Sequence, residues 1–404
     1  MIVYYKIRQQ RHLLFYTLCL AYIGTGISGP LPGPALTLLA THTHVGLDTI
    51  GWAFTATSLG FTIGVVLVGK LSERIHAKYI LMAGLTTLGL ATALLPWTES
   101  FAMLLILSLC SGIGNSLIDV SINVLAAIAF EERLNETLNY IHSSFGVGAC
   151  VGPLLLSVSL ETSHNTTWAF LAGALLCKRQ FSKRENGSRI SSTRVRVVPL
   201  HTASYETALT RPNEMPQHRI IMHRGLWLMA LQMFLYIGGE IGFGNWVTTT
   251  ISQSAQLALA FAAPATTIYW FGLAIGRLLS AQLLKRDILN DYQLLYLSIL
   301  GGSLSVLCVA FFPTLLWLSF SASLLTGLFF GPIYPGIMAL ASRRFVHAVN
   351  TVSSVLVFSA GASGLVFPVI IGIMLTHVGV ASAMTIPALT ILAIVWPLYV
   401  TMRK

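Results

Sequence analysis

The chain has 404 residues, of which 55% are hydrophobic and only 9% charged, and it carries a formal net charge of +10. So little polar surface cannot cover a soluble domain of this size, so composition excludes a soluble globular fold and implies a polytopic membrane protein. The basic excess sits between apolar runs, as topology signals do, and no interleaved aromatic and basic surface argues for nucleic acid.

With about 20 apolar residues per crossing, the runs fall at 13–40, 49–69, 79–97, 101–129, 138–160, 166–177, 225–251, 257–284, 292–312, 314–341, 348–375 and 380–402. This predicts an all-α protein of twelve transmembrane helices. Lys6, Arg8 and Arg11 before the first run give the amino end the look of a signal peptide, but the run is long and others follow, so it reads as a retained span. The five cysteines lie in or beside apolar runs without a CxxC pair or a His/Cys cluster, so neither a disulfide framework nor a metal site is expected.

Basic residues occupy the amino tail, the second-to-third connection (Lys70, Arg74, Lys78), Arg133 after the fourth run and the stretch after the sixth. They continue with Arg277, Lys285 and Arg286, then Arg343 and Arg344, then Arg403 and Lys404. All 24 Lys and Arg then fall on one side, which the positive-inside rule makes cytoplasmic, together with both termini. The membrane is expected to be a plasma or an organelle membrane.

The fourth run contains Asp119, a carboxylate that costs several kcal/mol in hydrocarbon unless it faces protein or water. Asn115, Asp119 and Asn123 are spaced i, i+4 and i+8, so they line one stripe of a helix that should face an internal cavity. The sixth run is short for a crossing and leads straight into basic residues, with Lys178 and Arg179 positioned to snorkel. Residues 178–224 carry ten basic and three acidic residues without a helical period, and read as a basic cytoplasmic linker. The seventh run holds the other intramembrane acid, Glu240, with Gln232 eight residues earlier on the same helical face.

The two halves repeat one another. Tyr22-Ile23-Gly24 matches Tyr236-Ile237-Gly238 at an offset of 214, while Gly112, Asp119 and Pro153 match Gly327, Tyr334 and Pro368 at 215. Gly69-Lys70-Leu71 resembles Gly276-Arg277-Leu278. Ordered matches at nearly constant spacing imply a duplication. The expected organisation is an N-terminal six-helix bundle (1–177), the linker (178–224) and a C-terminal six-helix bundle (225–404). Parallel repeats of this kind lead to a substrate site between the halves near the midplane, reached by alternating access.

On these grounds the chain resembles the major facilitator superfamily. The segment from Gly69-Lys70-Leu71-Ser72-Glu73-Arg74 to Leu81 is similar to the superfamily signature GxLaDRxGrrxxL, with His76 for the usual Gly and Ala77 for a usual basic residue. The resemblance implies a cytoplasmic gate in which Gly69, Glu73, Arg74 and Arg277 take part. LNYIHSSFGVGACVGPLL (138–155), FLYIGGEIGFGNWV (234–247), YWFGLAIGRLLS (269–280) and GPIYPGIMAL (331–340) look like the fucose-permease and sodium-dependent glucose transporter branch. That implies a sugar or similar polar solute moved by secondary active transport with a cation. Gly148 to Pro153 also resembles the GxxxGP of drug:proton antiporters, an alternative function alongside a non-transporting solute sensor of the same fold.

A sugar site needs several hydrogen-bonding side chains and an aromatic face. The candidates are Asn115, Asp119, Asn123 and His142 in the first half, and Gln232, Glu240, Asn245, Trp246, Trp270 and Tyr334 in the second. Trp246, near the outer end of its helix, reads equally as a membrane-interface residue. An acid that takes up a proton on one side and crosses neutral couples transport to a gradient, so a proton is the expected coupling ion, with sodium the alternative. No other cofactor is expected. No GxxxxGK[ST], HExxH or GxSxG motif is present, which argues against ATP-driven pumping and against an enzyme. The partners expected are a small-molecule substrate and the lipid bilayer, with the chain acting as a monomer and no role for nucleic acid.

Overall fold

In hydrocarbon each backbone amide must find its partner within the chain, so a sequence this apolar crosses as helices. A computed structural model describes residues 2–72, 74–130, 134–175, 221–345 and 348–403, and its regular elements are all helical. The first half contains α1 (Ile2–Ser28), α2 (Leu36–His42), α3 (Leu47–Ile50), α4 (Trp52–Leu71), α5 (Ala77–Leu94), α6 (Phe101–Ala129) and α7 (Leu134–Ser163). The second half contains α8 (Arg224–Ser254), α9 (Leu259–Ala262), α10 (Pro264–Lys285), α11 (Asp291–Phe311), α12 (Leu316–Phe330), α13 (Ile333–Arg344), α14 (Val349–His377), α15 (Val380–Ala393) and α16 (Val395–Met402).

Among the described residues ten helical segments are long and apolar enough to cross a membrane. With α1 and the helical residues 167–175 they account for the twelve apolar runs. The remainder of the sixth run, the linker up to residue 220 and Glu73 of the expected gate lie outside the described residues. Arg74 is exposed, and Gly69 stands in open space near the end of α4. The four described cysteines, Cys19, Cys110, Cys150 and Cys308, are free thiols.

The chain forms two compact units, one from Met1–Pro32 and Ala56–Glu206, the other from Gly33–Thr55 and Thr207–Lys404. By their contacts Gly33–Thr55 group with the C-terminal unit. Within that unit Thr55 donates to the Leu365 carbonyl (2.9 Å), and Gly51 abuts the backbone of Pro368 and Val369. Pro368 interrupts the hydrogen-bond ladder of α14, so neighbouring groups are available to such a strap.

Lipid offers no hydrophobic drive between helices, so close packing needs small residues and polar pins. In the N-terminal unit α1 lies along α7, where a Cβ on Gly26 would strike the Phe145 carbonyl and one on Gly148 the Ile23 carbonyl. In the C-terminal unit Ser363 donates to the Phe234 carbonyl at 2.7 Å and Ser303 to the Ala388 carbonyl at 3.1 Å.

The repeat becomes exact in the glycine contacts. Gly60 faces the Leu109 carbonyl as Gly272 faces that of Leu324, and Gly112 faces Thr57 and Phe61 as Gly327 faces Tyr269 and Leu273. Gly64 then corresponds to Gly276, both lying against the fourth helix of their unit. The match of Gly69-Lys70-Leu71 to Gly276-Arg277-Leu278 is thereby corrected. Arg277 lies about 7.5 Å deeper than that match implies, five residues at 1.5 Å each. It stands within α10, about 12 Å from the helix end at Lys285.

Gly272→Leu should drive a side chain into the Leu324 backbone and separate α10 from α12. The expected loss is ~3 kcal/mol, at the upper end of overpacking penalties. It would be read as a drop in the detergent unfolding midpoint, with Gly69→Leu, at an open position, as the unchanged control.

Candidate functional site

In the N-terminal unit the acid of α6 is held by a phenol from α1. The Tyr22 hydroxyl donates to Asp119 Oδ1, and Asn123 Nδ2 donates to the Asp119 backbone carbonyl at 2.9 Å. Tyr22 is 5% exposed, within the cluster formed by Leu18, Leu85, Ile118 and Ile122. Asn115, Asp119 and Asn123 are all half-buried, as one continuous stripe requires. His142 on α7 is exposed, with its ring centroid 4.9 Å from that of Tyr22. The packing thus brings together Asp119, Asn123 and His142 around Tyr22, which the sequence reading passed over. One carboxylate oxygen is committed to the phenol, while the half-exposed side chain stays accessible.

Tyr22→Phe keeps the ring and removes the donor. Breaking that bond leaves a half-buried carboxyl oxygen without its partner, a loss of about 1–3 kcal/mol, so the unfolding midpoint in detergent should fall. An unchanged midpoint would show that the Tyr22–Asp119 bond adds nothing to stability.

In the C-terminal unit α8 carries Glu240, which is 7% exposed, with Oε2 lacking a hydrogen-bond partner among the described residues. Two fully buried tyrosines flank it. Tyr269 on α10 donates to the Glu240 backbone carbonyl at 3.2 Å, and Tyr236, one turn earlier on α8, donates to the Phe330 carbonyl at 3.1 Å. That carbonyl sits where Pro332 breaks the fourth helix of the unit into α12 and α13, and irregular backbone at membrane depth needs such a donor. The exposed Arg277 is the cation whose field acts on Glu240 and on both tyrosines.

The other C-terminal candidates separate. Tyr334 is half-buried with its ring 6.4 Å from that of Tyr236, and half-buried Trp270 meets Tyr269 edge-on at 5.3 Å, so both belong to the Glu240 cluster. Gln232 turns away from Glu240 and donates to Thr401 Oγ1 at 3.4 Å. Trp246 is fully buried, its ring against Gly372. Asn245 is half-buried, its backbone pressed against Gly33.

Tyr22 and Tyr236 are repeat equivalents, and so are Asp119 and Tyr334; in each unit the first helix presents its tyrosine toward that position on the fourth. The signal was present in the matched Tyr-Ile-Gly stretches, but an aromatic in an apolar span has no distinctive spacing.

The comparisons agree with this architecture. A family model described as Major Facilitator Superfamily matches residues 15–178. Sodium-dependent glucose transporter 1 of Homo sapiens is 22% identical over 405 residues, covering 88% of this chain and 72% of that protein. Sodium-dependent glucose transporter 1A of Mus musculus is 22% identical over 386 residues, covering 88% of each. The crystal structure of the nucleoside transporter NupG superposes with a TM-score of 0.73 at 13% identity, over 96% of this chain and 99% of that one. The duplicated helical units, the match over residues 15–178 and the relatives spanning most of the chain agree: the chain is similar to transporters of the major facilitator superfamily, and the relatives it resembles are named as transporters, not enzymes.

Proposed function

We propose that the protein moves a hexose or similar small polar solute together with a cation, by alternating access. The observation that carries this reading is the pair of membrane-embedded acids, each beside buried tyrosines: Asp119 with Tyr22, and Glu240 with Tyr236 and Tyr269. A transporter of neutral solute needs no intramembrane carboxylate for binding alone, and such groups mark ion pathways. The amide and carboxylate stripe of α6 offers acceptors and donors for hydroxyl groups, while Trp270 and Tyr334 offer aromatic faces. A proton is the first reading of the coupling ion, because protonation lets a buried acid cross uncharged. Sodium is the second, favoured by the relatives that are named sodium-dependent glucose transporters.

The antiporter reading loses its motif, since Gly148 and Gly152 of GACVGP are used to seat α7 against the Ile23 and Ile27 carbonyls of α1. Proteoliposomes given a pH gradient or a sodium gradient separately, with labelled glucose and galactose, test the proposal. Accumulation under one gradient, with hexoses competing, is the expected result. Competition by apolar cations in place of hexoses would restore the antiporter reading, and the absence of any flux would leave a sensor.

A further inference from the structure

A second site stands apart from the acids, at the end of the C-terminal unit where α8 begins and α13 and α16 end. There a cleft of about 480 Å³ is lined by His223, Arg224, Arg344, Leu228, Val400 and Thr401, with no acidic residue among the described residues of its wall. Arg344 Nη1 donates to the Thr401 carbonyl at 2.8 Å, which fixes the guanidinium while its remaining N–H groups stay available. The adjacent Arg343 pairs with Asp291, the one acid–base ion pair among the described residues, so among those residues Arg344 and Arg224 bring charge to the cleft without a carboxylate partner. His223 Nδ1 accepts from the Gly225 amide at 3.1 Å, which leaves Nε2–H as an outward donor in the neutral ring.

The cleft's surroundings indicate what approaches it. Trp227, one helical turn into α8, is 53% exposed and donates its indole N–H to the Ile221 carbonyl at 2.7 Å. Such a tryptophan marks headgroup level. Leu228 and Val400 add an apolar floor beneath the cations.

We propose that this cleft binds a phosphate-bearing anion through Arg224, Arg344 and His223, at the level of the membrane headgroups. Arginine forks match phosphate oxygens geometrically, and a basic pocket at the headgroup level draws in anionic headgroups. A lipid headgroup and a free phosphate share this chemistry, and the apolar floor suits the glycerol end of a lipid.

The test uses the full chain reconstituted in phosphatidylcholine alone or with added phosphatidylglycerol, and separately with inorganic phosphate against a chloride control. The readouts are the thermal unfolding midpoint and the lipid retained on purification. Phosphatidylglycerol should raise the midpoint and be retained. Arg224→Gln, which leaves the Arg344–Thr401 bond intact, should weaken that retention about five-fold, and Leu228→Glu should abolish it. Stabilisation by inorganic phosphate as well would assign the site to a free anion, and by phosphatidylglycerol alone to a lipid headgroup. No rise with either anion, or undiminished retention in both variants, would overturn the proposal.

Discussion

Asp119→Asn should abolish gradient-driven accumulation while exchange of solute across the membrane continues. The amide keeps the size of the side chain and can still accept from Tyr22, so the helix contacts of α6 with α1 survive. What disappears is the capacity to gain and lose a charge. One cation moved through 100 mV supplies ~2.3 kcal/mol, enough for a roughly 50-fold concentration ratio. The wild-type protein in proteoliposomes should approach that ratio, and the variant should stop at equilibration. Concentrative uptake intact in both Asp119→Asn and Glu240→Gln proteins would remove the two acids from the coupling mechanism.

Arg277→Gln should impair the protein more than Glu240→Gln, and the double variant should recover much of the lost stability. Glu240 is nearly inaccessible and, among the described residues, keeps an oxygen without a hydrogen-bond partner, so burial disfavours its charged form and the Arg277 cation opposes that cost. Removing the cation alone strands the acid, whereas removing both strands nothing. Because the Arg277 side chain is exposed, screening reduces the interaction, and a coupling of about 1 kcal/mol is expected in a double-mutant cycle of unfolding midpoints. Strict additivity would show that the two groups do not interact. Uptake should be lost in all three variants even where stability returns, since the double variant lacks the acid that the proposed mechanism uses.

The residue order by itself determined the helical membrane architecture, the duplication and the two acids within the membrane, because hydrocarbon admits few backbone arrangements and makes each buried charge conspicuous. It also delivered the Asn115–Asp119–Asn123 stripe, since spacing along one helix is a local property. Only the tertiary structure decided which face of each helix meets which neighbour. Helix rotation and depth set the Tyr22–Asp119 bond, the turning of Gln232 toward Thr401, the burial of Trp246 and the position of Arg277 inside α10. In a Gly- and Leu-rich chain, a match displaced by five residues looks as good as the true one. Backbone contact at Gly60, Gly64, Gly272 and Gly276 removes that ambiguity, because a Cβ there would occupy space already taken by the neighbouring helix.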